Sequence, residues 1–397
     1  MTAFATRFLG CKVSFADAQA IREQLLADGH TEVDDGAEVA VVNTCCVTHE
    51  AVSKSRQAVS RAARTAKRVY VTGCAANLEG ALQRMPPNVV VVPQTGDEAA
   101  AAVAGDVGAL GCVQAEHRLD RVRAFVKIQD GCSFSCRFCV IPVVRGATRS
   151  RSAPAVLGEI RRRVAQGHRE VVLTGVNLGC FRDREAGYTL ARLVREAGAM
   201  PGLARLRLSS IEVNHVTPEL VAALRETPTV SRHLHVPLQS GDDNVLRAMG
   251  RRYSVAQYLA RLEAVRDFNL TADVIVGFPA EDDAAFERTL RVVEDAGLTK
   301  VHVFPYSPRP GTRTAAEDPV APTVKAERSA RLRSLSGELC RRRWCTKVGS
   351  TDLVLVDRPG RGYADDYTPW LLDSPLGELV RARATGVSEE GVLAVAA

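Results

Sequence analysis

The alternation of strand-like and helix-like segments over residues 118–340 restricts the fold of this chain more than any other sequence feature. Six apolar runs are each followed by a longer segment, and several of those segments have helical periodicity. The predicted strands are residues 123–128, 170–174, 204–208, 233–236, 271–276 and 300–304, and the predicted helices are 155–165, 190–199, 255–268 and 283–296. Six strand–helix units are too few for an eight-stranded barrel, so we predict an open, partial (β/α)6 barrel.

Three cysteines, Cys132, Cys136 and Cys139, lie in the loop directly after the first of these strands. Three thiolates at C-x3-C-x2-C spacing can hold three irons of a [4Fe-4S] cluster and leave the fourth iron open to a small molecule. Zinc is the alternative, but zinc usually takes four closed ligands, often as two CxxC pairs, and no second pair is nearby. The spacing therefore predicts an iron–sulfur site at a strand end, where barrel active sites lie.

Residues 1–112 predict a smaller parallel α/β domain. Its predicted strands are residues 4–9, 38–42 and 69–72, and its predicted helices are 15–27, 50–67 and 75–85. Cys11, Cys45 and Cys74 each follow one strand, so all three should meet at one sheet edge and could share a metal. Buried thiols are the alternative. Because successive residues of an extended segment face opposite ways, either Cys45 or Cys46 could point into the site.

The remaining cysteines and three histidines are predicted to have no role in catalysis. Ordinary thiols are expected at Cys112, Cys180, Cys340 and Cys345. His215, His233 and His235 lie near strand ends and are expected to be core or loop residues, with metal ligation as the alternative.

The last section, residues 341–397, has short apolar alternations at 352–356, 378–382 and 391–395 that are separated by turns containing Gly and Pro. This pattern predicts a small antiparallel β-barrel. The basic run Arg341, Arg342 and Arg343 is expected to mark its junction with residues 118–340.

Composition limits the setting in which the chain works. Its 397 residues suggest two or three domains, and no apolar stretch approaches the roughly 20 residues of a membrane span. The N-terminus has no signal-type apolar core, so we expect a cytoplasmic protein with no membrane partner. In that reducing compartment the eleven cysteines are expected to be thiols or metal ligands. The net charge of +6 permits an anionic partner such as RNA.

Taken together, these motifs resemble the radical SAM methylthiotransferase family over essentially the whole chain. The resemblance is carried by residues 8–13, 43–48, 72–74, 127–139, 141–146 and 236–241. Residues 341–397 resemble the RNA-binding TRAM domain.

Residues 11–13, 208–212 and 304–312 look most like the branch of the family that acts on threonylcarbamoyladenosine in tRNA. Near relatives act on isopentenyladenosine in tRNA or on an aspartate of a ribosomal protein. Ser14 stands where the tRNA branches usually have Asn, and Val143 stands where an aromatic residue is common. These two departures concern substrate contacts rather than cysteine ligands.

The resemblance implies a mechanism with two [4Fe-4S] clusters. The cluster on Cys132, Cys136 and Cys139 would bind S-adenosylmethionine and cleave it to a 5′-deoxyadenosyl radical that abstracts hydrogen from C2 of adenine 37. A second cluster on Cys11, Cys45 and Cys74, with Cys45 rather than Cys46 as ligand, would carry the sulfur, and a second S-adenosylmethionine would supply the methyl group. The implied partners are the tRNA anticodon stem-loop, an electron donor such as a flavodoxin or ferredoxin, and a sulfur source.

Four polar residues near strand ends are candidates to bind S-adenosylmethionine, and helix capping is the alternative for each. They are Asn177, Ser210, Glu212 and Gln239.

A basic cluster close to the cysteine loop could bind tRNA phosphates. It consists of Arg145, Arg149 and Arg151; exposed, solvated side chains are the alternative. A different class of function, a non-catalytic RNA-binding protein with structural metal, also remains open.

Overall fold

The computed structural model describes residues 1–109 and 122–397. They form two compact units, one of residues 1–109, 130–149 and 307–317, the other of residues 122–129, 150–306 and 318–397. The predicted domain boundaries at 112 and 118 lie outside the described residues. The boundary at 341 falls within a helix, and the three-domain division stays a prediction.

The first unit contains a five-stranded parallel sheet in the order β2-β1-β3-β4-β5. Its strands are β1 (Ala3–Phe8), β2 (Thr31–Glu32), β3 (Val39–Thr44), β4 (Arg68–Gly73) and β5 (Val89–Val91). Its helices are α1 (Lys12–Ala27), α2 (His49–Thr65), α3 (Asp97–Val107) and α4 (Ile141–Arg145). The predicted parallel α/β fold is confirmed.

Helices cover both faces of this sheet, which explains why β3 is buried along its whole length. Val41 packs with residues of α1 and α3, such as Ile21 and Val103. The next residue, Val42, packs on the opposite face with Val59 of α2. The alternation of side chains along a strand therefore divides the core into two layers, one on each side of the sheet.

The predicted helix over residues 75–85 is wrong. After β4 the chain makes only a short 3-10 helix, Cys74–Asn77, and then a series of turns. Gly80 interrupts the segment at φ 71°, and Pro86 follows shortly after, so the apolar spacing is not continued as a helix. The prediction also missed β2, β5 and α3. The two-residue β2 is too short to give a strand signal, whereas β5 lies in a run of four valines at 89–92.

The second unit contains six parallel strands that succeed one another in chain order, β6-β8-β11-β12-β13-β14. Bridges from Leu206 to Val230 and from Ser210 to His235 join the third strand to the fourth. The strands of this part are β6 (Arg123–Asp130), β7 (Arg149–Ser150), β8 (Glu170–Gly175), β9 (Arg182–Asp183), β10 (Tyr188–Thr189), β11 (Arg205–Leu208), β12 (His233–His235), β13 (Asn269–Val276) and β14 (Leu298–Pro305). The six predicted strands and the partial barrel are confirmed.

Five of the seven helices around these strands begin at a capping side chain, and the exceptions are α5 and α11. They are α5 (Ala153–Ala165), α6 (Leu190–Gly198), α7 (Pro218–Glu226), α8 (Asp243–Ala248), α9 (Val255–Glu263), α10 (Asp283–Asp295) and α11 (Pro322–Cys345). Thr189, Thr217 and Asp282 accept a hydrogen bond from the first turn of α6, α7 and α10, and Ser254 forms a capping box on α9. Helix α9 ends five residues before the predicted end.

The C-terminal strands form a closed five-stranded barrel in the order β15-β16-β17-β19-β18. They are β15 (Thr351–Arg358), β16 (Arg361–Tyr363), β17 (Pro369–Leu371), β18 (Leu379–Val387) and β19 (Val392–Ala396). Fully buried Trp370 lies in the barrel core. The β17–β19 pair is parallel, which departs from the predicted antiparallel barrel, because an odd number of strands cannot close with every neighbour antiparallel.

Glu170 at the start of β8 attaches this barrel to the six-stranded sheet. Its carboxylate is fully buried and pairs with Arg207 at 3.0 Å, Arg205 at 3.2 Å and Arg123 at 3.4 Å. Arg123 also pairs with Asp357 of β15 at 2.6 Å, and Arg205 donates to the carbonyl of Leu353 at 2.7 Å. The barrel is therefore held at the amino ends of β6, β8 and β11.

None of the helices in the described ranges is both long and apolar enough to cross a lipid bilayer.

Replacing Glu170 by Gln is expected to lower the free energy of unfolding by about 3–5 kcal/mol, because three buried guanidinium groups would lose their shared counter-charge. Burial opposes ionisation of Glu170, but Arg207, Arg123 and Arg205 lower its pKa to about 2. The stabilisation is therefore present above the ordinary value of 4.5 and is lost as pH falls from there towards about 2. Urea unfolding of wild type and E170Q between pH 7 and pH 3 measures both effects.

The matched control is Glu226→Gln, which removes an exposed carboxylate that pairs with Arg195 at 2.9 Å. We expect it to change stability by less than about 1 kcal/mol. Equal losses in the two variants would contradict the role assigned to Glu170.

Candidate metal centres

Cys11, Cys45 and Cys74 lie at the carboxyl ends of three neighbouring strands, as the sequence predicted. Cys11 precedes the first turn of α1, Cys45 directly follows β3, and Cys74 begins the 3-10 helix after β4. All three are thiols rather than disulfides. Cys45 and Cys74 are buried whereas Cys11 is exposed, so this sheet edge is a thiol-lined site with one open side.

Tight backbone packing holds Cys45 in place. A Cβ at Gly10 would lie 3.2 Å from Cβ of Cys45, and Gly10 has φ 123°, which other residues rarely adopt. The backbone N–H of Cys45 donates to Oγ of Ser55 at 3.1 Å, and that hydroxyl donates to the carbonyl of Cys45 at 3.0 Å. The position of this thiol is therefore fixed by the fold.

The electrostatics of the site favour a thiolate at Cys74. The pKa of Cys74 is lowered because its sulfur accepts a hydrogen bond from the thiol of Cys46 and lies beside a guanidinium, that of Arg145. The same hydrogen bond, together with burial, raises the pKa of Cys46. Burial raises the pKa of Cys45 to about 11, and the nearby Cys74 and Cys11 add to the shift. Cys46 therefore lies at the site as a neutral donor, and the assignment of Cys45 as the ligand stays a prediction.

Arg145 occupies a position that the sequence analysis interpreted wrongly. The sequence suggests either a contact with RNA phosphates or an exposed, solvated side chain, but Arg145 is only 3% exposed. Its Nη2 donates to Asp17 at 2.9 Å, its Nη1 donates to Asp130 at 3.0 Å, and its Nε donates to Sγ of Cys74 at 3.1 Å. Arg145 is thus a buried, fully engaged cation that contacts the thiol site.

The other two arginines of the predicted basic cluster also have partners within the protein. Arg149 donates to the carbonyl of Arg145 at 2.7 Å, and its side chain is half exposed. Arg151 pairs with Glu159 at 2.6 Å. The three side chains therefore do not form the basic cluster that the sequence suggested.

The loop of Cys132, Cys136 and Cys139 is shaped by its own backbone. A Cβ at Gly131, which has φ 65°, would lie 2.0 Å from the carbonyl oxygen of Ala147, so only glycine fits there. The N–H of Cys132 donates to the carbonyl of Gly146 at 3.0 Å, and the N–H of Cys139 donates to that of Cys136 at 3.2 Å. The three thiols are half-buried and lie in one compact unit with the first set.

Each donor set suits an iron–sulfur cluster, because it consists of three thiols and each thiolate of such a cluster binds a different iron. Across residues 1–109 and 122–397, no group of three His, Cys, Asp or Glu side chains is arranged to hold one ion. Buried polar atoms of Ser14, Asn43 and Thr72 also have no hydrogen-bond partner among the described residues. Since buried polar atoms normally have partners, this edge is suited to a further polar group.

The candidate S-adenosylmethionine residues lie in the second unit near the carboxyl ends of its strands. The N–H of Asn177 donates to Gln129 at 2.7 Å. Glu212 accepts from the N–H of Asn214 at 2.9 Å and pairs with Arg251 at 3.3 Å, which matches the capping alternative.

Two of these candidates belong to the sheet itself. Ser210 forms a parallel bridge with His235. Gln239 forms a parallel bridge with Val274. It has φ 67°, a conformation that non-glycine residues rarely adopt and that is enriched at functional sites. The binding of S-adenosylmethionine by all four stays a prediction.

The three histidines contact protein groups of the second unit. Nε2 of His233 and Nδ1 of His235 lie 3.0 and 2.9 Å from Oγ1 of Thr271. His215 lies 3.4 Å from Sγ of Cys180, and burial lowers its pKa.

Two more of the cysteines expected to be ordinary thiols can be placed. Cys340 donates to a backbone carbonyl at 3.0 Å, and Cys345 is exposed. Cys112 lies outside the described residues.

Sequence analysis missed Asp17, Asp130 and Arg309. The two aspartates hold Arg145, and the only signal for them was their position: Asp17 lies on the first helix after Cys11 and Asp130 ends the strand before Cys132. Arg309 lies in the segment 304–312, whose only signal in the sequence is its resemblance to the family.

Comparison with known proteins identifies the relatives of this chain. Residues 126–293 match the family model described as the Radical SAM superfamily, and residues 3–92 match the model described as uncharacterized protein family UPF0004. The threonylcarbamoyladenosine tRNA methylthiotransferase of Chlamydia pneumoniae is 34% identical over 97% of this chain and 96% of its own length. Its namesake from Thermotoga maritima is 33% identical over 97% and 94%, and that from Bacillus subtilis is 35% identical over 86% and 82%.

Solved structures share the fold at low sequence identity. The radical S-adenosylmethionine methyltransferase TsrM from Kitasatospora setae aligns with a TM-score of 0.57 at 14% identity, over 79% of this chain and 76% of that one. The cobalamin-dependent S-adenosylmethionine radical enzyme OxsB aligns with a TM-score of 0.52 at 10% identity, over 86% and 56%.

Replacing Arg145 by Met is expected to lower the free energy of unfolding of the metal-free protein by about 3–5 kcal/mol, because Asp17 and Asp130 would remain buried without their cation. Adding Asp17→Asn and Asp130→Asn to R145M should recover part of this loss. Urea unfolding followed by circular dichroism measures the series.

Arg266→Met is the matched control, since it removes the same group from an exposed position, where it pairs with the exposed Glu263 at 2.8 Å. We expect a change of less than about 1 kcal/mol. A loss in R145M no larger than in R266M would show that the buried charge of Arg145 does not stabilise the unit.

Proposed function

The chain belongs to the family of threonylcarbamoyladenosine tRNA methylthiotransferases, and we propose that it adds a methylthio group to C2 of N6-threonylcarbamoyladenosine at position 37 of tRNA. The observation that carries the proposal is the presence of two three-cysteine sets in one compact unit, with Arg145 bonded both to Cys74 of one set and to Asp130, two residues before Cys132 of the other. A single structural metal site would not need two such sets.

The cysteines would hold two [4Fe-4S] clusters, one on Cys132, Cys136 and Cys139 and one on the set at the sheet edge. When bound, these clusters and S-adenosylmethionine supply the radical chemistry, the sulfur and the methyl group. The protein's own part is placement. Ser55 fixes the backbone of Cys45, Gly131 allows the close turn before Cys132, and Arg145 favours the thiolate form of Cys74, which is the form that binds iron.

Residues at the strand ends of the second unit would bind S-adenosylmethionine. The proposal assigns this role to Asn177, Ser210, Glu212 and Gln239, and it is supported by their position at the carboxyl ends of a partial barrel. A flavodoxin or ferredoxin would supply electrons, a separate donor would supply sulfur, and the cytoplasm is the proposed location because the substrate is tRNA.

The test of the reaction is mass spectrometry of tRNA nucleosides from cells that lack the protein and are complemented with variants. Wild type and Cys345→Ala, which removes an exposed thiol, should restore the methylthio form of threonylcarbamoyladenosine, whereas Cys74→Ala and Cys136→Ala should not. Purified wild type should bind about eight irons per chain after anaerobic reconstitution, and each inactive variant about four.

Three results would contradict this proposal. Persistence of the methylthio nucleoside without the protein would exclude the substrate. Loss of methylthio-isopentenyladenosine instead would assign the chain to the neighbouring tRNA branch. Stoichiometric zinc without cleavage of S-adenosylmethionine would favour the RNA-binding protein with structural metal.

We further propose that the C-terminal barrel binds tRNA through β18. Arg381 and Arg383 alternate there with the buried Ala382 and Ala384, so both arginines point outward from the barrel. Replacing both by Glu should weaken tRNA binding. The slope of log affinity against log salt concentration should become shallower by the amount that corresponds to about two phosphate contacts. Filter binding at several salt concentrations measures this.

The matched control is Arg161→Glu with Arg162→Glu, an equal charge change at exposed positions of α5. It should leave the salt dependence nearly unchanged. If both double variants weaken binding equally, the barrel has no specific role.

A further inference from the structure

Arg309 is a buried cation without a hydrogen-bonded counter-ion. It lies in the segment 307–317 of the first unit and is only 3% exposed. Its Nε and Nη1 groups have no hydrogen-bond partner within residues 1–109 and 122–397. An unpartnered buried guanidinium is costly, so these groups are expected to meet a ligand.

Arg309 belongs to the surroundings of the thiol site. Its guanidinium lies close enough to Cys46 and Cys45 to interact electrostatically with a thiolate at either position, and within residues 1–109 and 122–397 its Nε and Nη1 groups form no hydrogen bond to a carboxylate. Arg145, the other buried arginine of the site, is already balanced by Asp17 and Asp130. Arg309 therefore supplies positive charge beside Cys45 and Cys46 that the protein itself does not neutralise.

Because arginine stays protonated and offers N–H donors in a fixed fork, the missing ligand must be an anion that accepts hydrogen bonds. Beside thiolates that would bind iron, a small soft anion such as hydrosulfide suits the site. We propose that Arg309 is a positioning residue that holds anionic reduced sulfur next to Cys45. This inference rests on the proposed function, which requires sulfur at this cluster.

The test uses the full-length chain with Cys132, Cys136 and Cys139 replaced by Ala, so that anaerobic reconstitution loads only the second site. In this background the parent protein, which retains Arg309, is compared with the variants R309K and R309Q. The control is R313Q, which changes an exposed arginine four residues later. Two quantities are measured: iron per chain, and the sodium sulfide concentration that gives half of the change in the electron paramagnetic resonance spectrum of the reduced cluster.

All four proteins are expected to hold about four irons. R309Q should need about tenfold more sulfide for half-saturation, because a charged hydrogen bond is lost. R309K should need about threefold more, since lysine keeps the charge without the fork. R313Q should behave like the parent.

Unchanged half-saturation in R309Q would overturn the inference. If R309Q fails to hold iron, R309K is used for the comparison instead. A half-saturating sulfide concentration in R309K equal to that of the parent would then overturn the inference. If sulfide binding is unchanged and R309Q instead raises KM for tRNA in the chain with all its cysteines, Arg309 contacts the substrate's threonyl carboxylate. A parent that holds no iron would contradict the proposed function itself.

Discussion

A single buried guanidinium, that of Arg145, connects the two cysteine sets of the first unit. It donates to Cys74 after β4, to Asp17 on the helix that follows Cys11, and to Asp130 before the Cys132 loop. Removing an arginine from water is unfavourable by several kcal/mol, and only well-placed partners offset this. The three partners come from distant parts of the chain, so the charge is stable only when both cysteine regions are folded together.

A second buried network, around Glu170, lies at the amino ends of the strands in the second unit. Three arginines from β6 and β11 surround this carboxylate, and two of them continue to the C-terminal barrel. The barrel is thereby attached at the amino ends, whereas Asn177 and Gln239, the candidate ligand residues, lie near the carboxyl ends. In complete barrels of this type the active site lies at the carboxyl ends, so the attachment leaves the proposed ligand edge uncovered by these contacts.

Much of this architecture could be predicted from sequence because its signals are local. Apolar runs identified all six strands of the partial barrel, and the placement of cysteines after strands identified the shared sheet edge. The prediction failed where the outcome depends on tertiary partners. Arg145 looks like any surface arginine in sequence, since the acids that bury it are 15 and 128 residues away. The false helix over 75–85 shows that apolar spacing alone does not outweigh Gly80 and the prolines that follow it.

The buried charges also explain why Arg145 and Arg309 are not equivalent. Arg145 is neutralised by two aspartates, so it can orient Cys74 but adds little net charge to the site. The hydrogen bond to Cys74 and burial raise the pKa of Cys46, which disfavours a further negative charge at that position. A cluster on three thiolates that also carries reduced sulfur is anionic, and a buried anion requires a counter-charge. Arg309 interacts electrostatically with Cys45 and Cys46, and its Nε and Nη1 groups have no partner within the described residues. Under the proposed function, Arg309 can therefore balance the charge of a sulfur-loaded state.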